Sequence, residues 1–130
     1  MSSKDFYGVT CRDLNNSLYE LGINSHSKNG STWAIVKATP TAATILAQGS
    51  TTNPSTKIGG ACVGGTTSGP AHLVMYVVDK PVGHVDDPQP LHQGYAGVFA
   101  HTSTKDSKGG TATSPLFGIL DWQLNSATLK

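Results

Sequence analysis

The sequence predicts an α+β protein: an N-terminal hairpin and an antiparallel β-sheet meander, followed by a C-terminal helix that packs on a dimer partner. Three observations lead there. Short apolar segments with two-residue alternation recur along residues 1–110, separated by turn-forming residues. Residues 71–79, AHLVMYVVD, are apolar on both faces, as a central strand requires. Residues 113–125, TSPLFGILDWQLN, place Ser114 at a cap and Pro115 at the first helical position, with Leu116, Leu120 and Leu124 on one stripe and Phe117 beside it. The chain reads as one domain over 1–130, with a β region at 1–110 and a helical segment at 111–130.

Each element has its own warrant. DFYGVTCR (5–12) and SLYELGI (17–23) are short strands joined by the turn-rich DLNN. NSHSKNG (24–30) is a loop. STWAIVKAT (31–39) alternates, with Trp33, Ile35 and Lys37 on one face and Ala34, Val36 and Ala38 on the other, until Pro40 ends it. AATILAQ (42–48) is a strand, and TKIGGACVGG (56–65) is a weak one with glycines at its centre. In 71–79, Leu73, Met75 and Val77 face one way, and His72, Val74, Tyr76 and Val78 the other. KPVGHVDDPQPLHQG (80–94), with Pro81, Pro88 and Pro90, is a long exposed loop, and long loops in small domains commonly carry function. GYAGVFAHTS (94–103) is the last strand, with Tyr95, Phe99 and His101 on one face. A ten-residue helix is marginal alone, so the closing segment needs an apolar surface from its own chain or from a second copy. Leu116, Phe117, Leu120 and Leu124 are the expected dimer-interface residues.

Composition narrows the function classes. The chain has 130 residues, nine basic and eight acidic side chains, 15 glycines and 28 serines and threonines, so its surface is polar through hydroxyls and backbone. A charged fraction of 13% suits packed β-structure of the virion, fibre or secreted kind, not a helical cytosolic enzyme. Near-neutral charge argues against avid nonspecific nucleic-acid binding while leaving room for a local patch. Cys11 and Cys62 are compatible with one disulfide, but two isolated thiols more often serve as small buried apolar groups, and that is the expectation here. No run of apolar residues approaches a membrane span and residues 1–30 lack a signal-like apolar stretch, so a soluble, unexported protein with no membrane partner is expected.

Catalytic signals are weak. GHVDDPQPLH brings His84, Asp86, Asp87 and His92 close in sequence, but the spacing fits no closed zinc site. GGACVGGTTSG lacks the lysine and the following helix of a phosphate loop, and no GxSxG elbow is present. The expectation is a non-enzyme without cofactor or metal. Lys37, Lys57, His72, Tyr76 and Tyr95 are the candidates for contacting phosphates and stacking bases. A competing reading is a glycan-binding module (lectin) in which Trp33, Trp122 and the tyrosines stack on sugars. A phage decoration or tail component would share the structural class.

Two segments carry a resemblance. HQGYAGVFAHTSTKDS (92–107), a strand entered through an aromatic and left through a Ser/Thr-rich turn, is similar to the last sheet strand of single-stranded RNA bacteriophage (levivirus-type) coat proteins. TSPLFGILDWQLNSATLK (113–130) resembles the helical C-terminal segment of that family. The resemblance covers the last 50–60 residues, and loop 80–94 lies where the family meets its copies around symmetry axes. It implies subunits that join their sheets edge to edge, C-terminal helices that reach onto the partner, and dimers that assemble into an icosahedral shell. The sheet's inward face would grip viral single-stranded RNA, including a hairpin whose capture represses replicase translation. Carried onto this chain, Tyr95 is the aromatic opening the last strand and Gly97 its alternate neighbour. His72 and Tyr76 come from the central strand, Lys37 from an earlier one, and Lys57 supplies a further basic contact. The expected location is a virion assembled in a bacterial host's cytoplasm.

Overall fold

A computed structural model describes residues 6–27, 30–51 and 57–101. They form eight strands: β1 Phe6–Leu14, β2 Ser17–Ser27, β3 Gly30–Ala38, β4 Ala43–Thr51, β5 Ile58–Val63, β6 Ala71–Val77, β7 Lys80–Asp87 and β8 Tyr95–His101. The strands make two antiparallel sheets, a five-stranded one in the order β4-β3-β2-β1-β8 and a three-stranded one in the order β5-β6-β7. β5 lies against β1 and β2, and β7 against β4, so the sheets stack as a sandwich. After β7 the chain leaves the smaller sheet and returns as β8 beside β1.

This corrects the expected class. Among the described residues there is no helix, and the class is all-β, not α+β. The stripe Leu116, Phe117, Leu120 and Leu124 lies outside the described residues, as does Trp122. Nor is there a single meander: strand 71–77 is the central strand of a second, three-stranded sheet, with Leu73, Met75 and Val77 buried on one face and His72, Val74 and Tyr76 half-buried on the other. Residues 80–87, expected as loop, form β7, paired with β6 from Ala71↔Asp87 to Val77↔Lys80. Its two prolines misled: Pro81 sits near the start of an edge strand, where a missing N–H is harmless, and Pro88 follows the last residue. The expected loop at 24–30 is shorter, because β2 runs on to Ser27 and β3 begins at Gly30.

Alternation decides what is buried. Tyr19, Leu21, Ile23, Trp33 and Ile35 from the larger sheet meet Ala71, Leu73, Met75 and Val77 from the smaller, and these nine form the core. The Trp33 indole fills the gap where the neighbouring strand β4 and the facing strand β7 each carry glycine. A Cβ at Gly83 would overlap its ring carbons, and one at Gly49 would stand 2.8 Å from Cε2. Cys11 on β1 and Cys62 on β5 are joined by a disulfide with a Cα–Cα separation of 6.4 Å, overturning the free-thiol expectation. Both cysteines face the interior of the sandwich, so alternation alone places their side chains between the sheets.

Two hairpins turn on paired left-handed residues. Asn15 (φ 55°) and Asn16 (φ 64°) link β1 to β2, an ordinary choice for a two-residue primed turn. Val78 (φ 52°) and Asp79 (φ 62°) link β6 to β7, and a β-branched residue there is strained.

Candidate functional site

Two features stand out: a buried polar knot at one end of the sandwich, and the strand that this knot launches. Tyr19 is fully buried, yet its hydroxyl donates to Asp87 Oδ2 at 2.7 Å and accepts from the Leu91 amide at 2.9 Å. Asp87, 4% exposed, also accepts from Lys37 Nζ at 2.8 Å and, through Oδ1, from the Gln89 amide at 3.0 Å. Lys37 Nζ donates in addition to the Gln89 carbonyl. Arg12, held at φ 58° in the β1 bulge, donates to the Leu91 carbonyl at 2.8 Å.

The electrostatics follow from burial. Removal from water, and next the hydrogen bond to Asp87, push the Tyr19 phenol far above its usual range. Burial by itself works against charge on Asp87, but the bonds from Lys37, Tyr19 and the Gln89 amide outweigh it and hold the carboxyl below its ordinary value. Asp87 is therefore a carboxylate sharing one oxygen between an ammonium and a phenol. The knot has no unpaired acid or base, and its product is mechanical: it fixes residues 88–91 against the sandwich. Nearby, His92 Nδ1 contacts the Gly65 carbonyl at 2.7 Å. A Cβ at Gly94 would stand 2.5 Å from the Asp13 nitrogen, so only glycine lets the chain pass the β1 bulge before β8 begins.

β8 pairs with β1 in an unbroken register from Gly97↔Thr10 to His101↔Phe6. Its other edge has no partner strand among the described residues. The smaller sheet packs over β1, β2 and β4, leaving β8 overhanging. Val98, on the core-facing side opposite Val9, is 41% exposed, and Tyr95 is 75% exposed. The other edges are blunted: β4 is interrupted by a bulge opposite Ile35 and Val36, β7 carries Lys80, Pro81, Asp86 and Asp87, and β5 is weakened by Gly59 and Gly60. β8, YAGVFAH, has no lysine, carboxylate or proline.

The sequence-derived RNA-contact residues do not share a surface. Lys37 points into the end of the sandwich and is bound to Asp87. His72 and Tyr76 lie on the outer face of the smaller sheet, where His72 Nδ1 is 2.6 Å from Asp86 Oδ1. Lys57 stands before β5, 2.8 Å from Asp79 Oδ2. Tyr95 belongs to the other sheet, at its free edge. The described residues carry four lysines and arginines against five carboxylates, with no basic cluster. Trp33, offered for sugar stacking, is a core residue. His84, Asp86, Asp87 and His92 are divided between the two faces of β7 and the following loop, and no group of three metal-ligating side chains occurs among the described residues.

Sequence reasoning missed Tyr19 and Arg12, and weighed Asp87 only as a metal-ligating residue of an exposed loop, not as the partner of Lys37 and Tyr19. One signal was available: Lys37 shares a face with Trp33 and Ile35, and a lysine ending an apolar face needs a carboxylate opposite. Comparisons with family models, with curated proteins and with solved structures found no match to this chain.

Proposed function

We propose that this chain is a structural, non-enzymatic protein that associates with copies of itself through the free edge of β8. It is a subunit of a coat or shell of the kind that the phage coat-protein resemblance implies. The observation that supports this most directly is the outer edge of β8, which has no partner strand among the described residues. Natural sheets protect such edges with charge, proline, bulges or cover, and a regular, uncharged strand left open is a template for pairing. Antiparallel pairing of β8 with β8 of a second copy is self-complementary and closes on itself as a dimer. It would also cover Val98 and Tyr95, the exposed large hydrophobic side chains on that strand. The polar knot fits this role, because fixing residues 88–91 presents the edge already ordered and lowers the entropy cost of association.

Encapsidated RNA remains part of the proposal as a partner of the assembly. Its contacts are not assigned to Lys37, whose ammonium already neutralises Asp87.

The test is Val98→Lys, an inward-pointing charge on the edge, where 41% exposure lets the long side chain reach water within the monomer. The parent should elute as a dimer or larger particle by size-exclusion chromatography with light scattering. The variant should elute as a folded monomer with unchanged far-UV circular dichroism. A monomeric parent, or a variant that assembles as the parent does, overturns the proposal.

A further inference from the structure

The side chains of β8 alternate between two faces. Val98, opposite Val9, points to the core side with Ala96 and Ala100, and Tyr95, Gly97, Phe99 and His101 lie on the outer face of the larger sheet. Two of the outer side chains lean back over their own sheet. A Cβ at Gly22 on β2 would stand 2.6 Å from Phe99 Cζ, and the Phe99 and Phe6 ring centroids are 5.0 Å apart. His101 Nε2 lies 2.6 Å from Oε2 of Glu20, also on β2, so the imidazole is drawn across β1. With both drawn inward and Gly97 between them, the edge admits close approach by another backbone. Val98 on one face and Tyr95 on the other remain its exposed large hydrophobic side chains.

We infer that β8 pairs with β8 of a second copy about a two-fold axis at Val98, and that each end of the pair builds a composite cluster from Tyr95 of one copy and His101 and Glu20 of the other. This rests on the edge-pairing reading above and adds the register and a contact that neither copy holds alone. A two-fold axis that keeps both smaller sheets on one side must pass through one residue of β8, which then faces its own copy. Three central positions compete. An axis at Gly97 sets glycine against glycine, leaves Val98 opposite Ala96, and puts His101 beyond the partner's strand. An axis at Phe99 leaves Val98 opposite Ala100 and puts Tyr95 beyond the partner's strand. An axis at Val98 pairs the whole strand: Val98 with Val98, Ala96 with Ala100, Gly97 with Phe99 and Tyr95 with His101. Only this register gives each exposed large side chain a large partner. Directly opposed Cβ atoms stand about 5 Å apart, so the Tyr95 ring meets the partner's imidazole, which Glu20 holds from its far side.

Cysteine cross-linking of the full chain tests the register, since Cys11 and Cys62 are already joined to each other. A short bis-methanethiosulfonate linker should couple Val98→Cys chains to one another. In a mixture it should couple Ala96→Cys to Ala100→Cys, and neither of these to itself, which decides the register even where Val98→Cys pairs poorly. Coupling of Val98→Cys to Ala96→Cys moves the axis to Gly97, and coupling to Ala100→Cys moves it to Phe99. Either result overturns the inference and leaves edge pairing standing. A monomeric parent, or a dimer whose variants couple in no combination, overturns edge pairing itself. The cluster has a separate readout, the dimer dissociation constant measured by dilution with light scattering. Tyr95→Ala should raise it roughly 2- to 30-fold, as one cross-strand pair counted twice. Glu20→Gln, two strands from the edge, should raise it as well, and should add nothing once Tyr95 is already alanine. Additive effects, or no effect of Glu20→Gln, overturn the cluster.

Discussion

Breaking the bond between Cys11 and Cys62 tests the sandwich most directly, because it is the covalent tie between the two sheets. The cysteines are 51 residues apart in sequence. In the chain-entropy treatment, a loop of that length lowers unfolded-state entropy by roughly 14 cal/mol/K, or about 4 kcal/mol at 25 °C. Native stabilities of 5–15 kcal/mol are typical, so this is a large share of what holds such a domain folded. Cys11→Ala with Cys62→Ala, followed by urea denaturation at neutral pH, should lower the midpoint by about 2 M at a slope of ~2 kcal/mol per molar. Adding a phosphine reductant to the parent should reproduce most of the shift, and alkylation should then mark two thiols that were unreactive before. A midpoint moved by less than ~0.5 M would refute the loop-closure reasoning. Two reactive thiols in the unreduced protein would refute the disulfide.

Three further outcomes are expected. Gly83→Ala drives a methyl into the Trp33 indole and should cost at least the ~1–3 kcal/mol of core overpacking, read as a lower urea midpoint and a changed near-UV tryptophan signal. Asp87, held below its ordinary pKa, contributes stability that is present above about pH 4 and lost as pH falls through its folded value. The Tyr19 phenol, held above its own, contributes stability that is present below about pH 10 and lost as pH rises beyond it. Tyr19→Phe should therefore flatten the stability–pH curve at both ends and cost ~1–3 kcal/mol at neutrality, measured by urea titrations across pH. Val78→Gly relieves the left-handed strain of the β6–β7 turn and should leave stability unchanged or raise it by up to ~1 kcal/mol, although glycine normally destabilises.

What could be read beforehand was local. Two-residue alternation assigned the right faces to Trp33, Ile35 and Lys37, and to Leu73, Met75 and Val77, because period two survives any choice of partner strand. Partner choice was not legible: nothing local says that 71–77 abandons the first sheet, since that follows from how many strands can share one apolar layer. β7 was hidden by prolines at positions where an edge strand tolerates them. The polar knot was hidden because its members lie up to 79 residues apart and only the folded chain joins them. The free edge of β8 was equally invisible, because strand order decides which strand is last. Lys37, Lys57, His72, Tyr76 and Tyr95 were chosen for what they can touch, and topology dispersed them.

The cross-link also sets the route that tension takes. Pulling on the two ends of the chain sends the covalent path of the force from Cys11 directly to Cys62, so β2, β3 and β4 cannot be unravelled along it. Only the residues outside that ring can be drawn out, which shortens the extensible contour by about 170 Å at ~3.4 Å per residue. A protease cut within the ring would leave both pieces tethered.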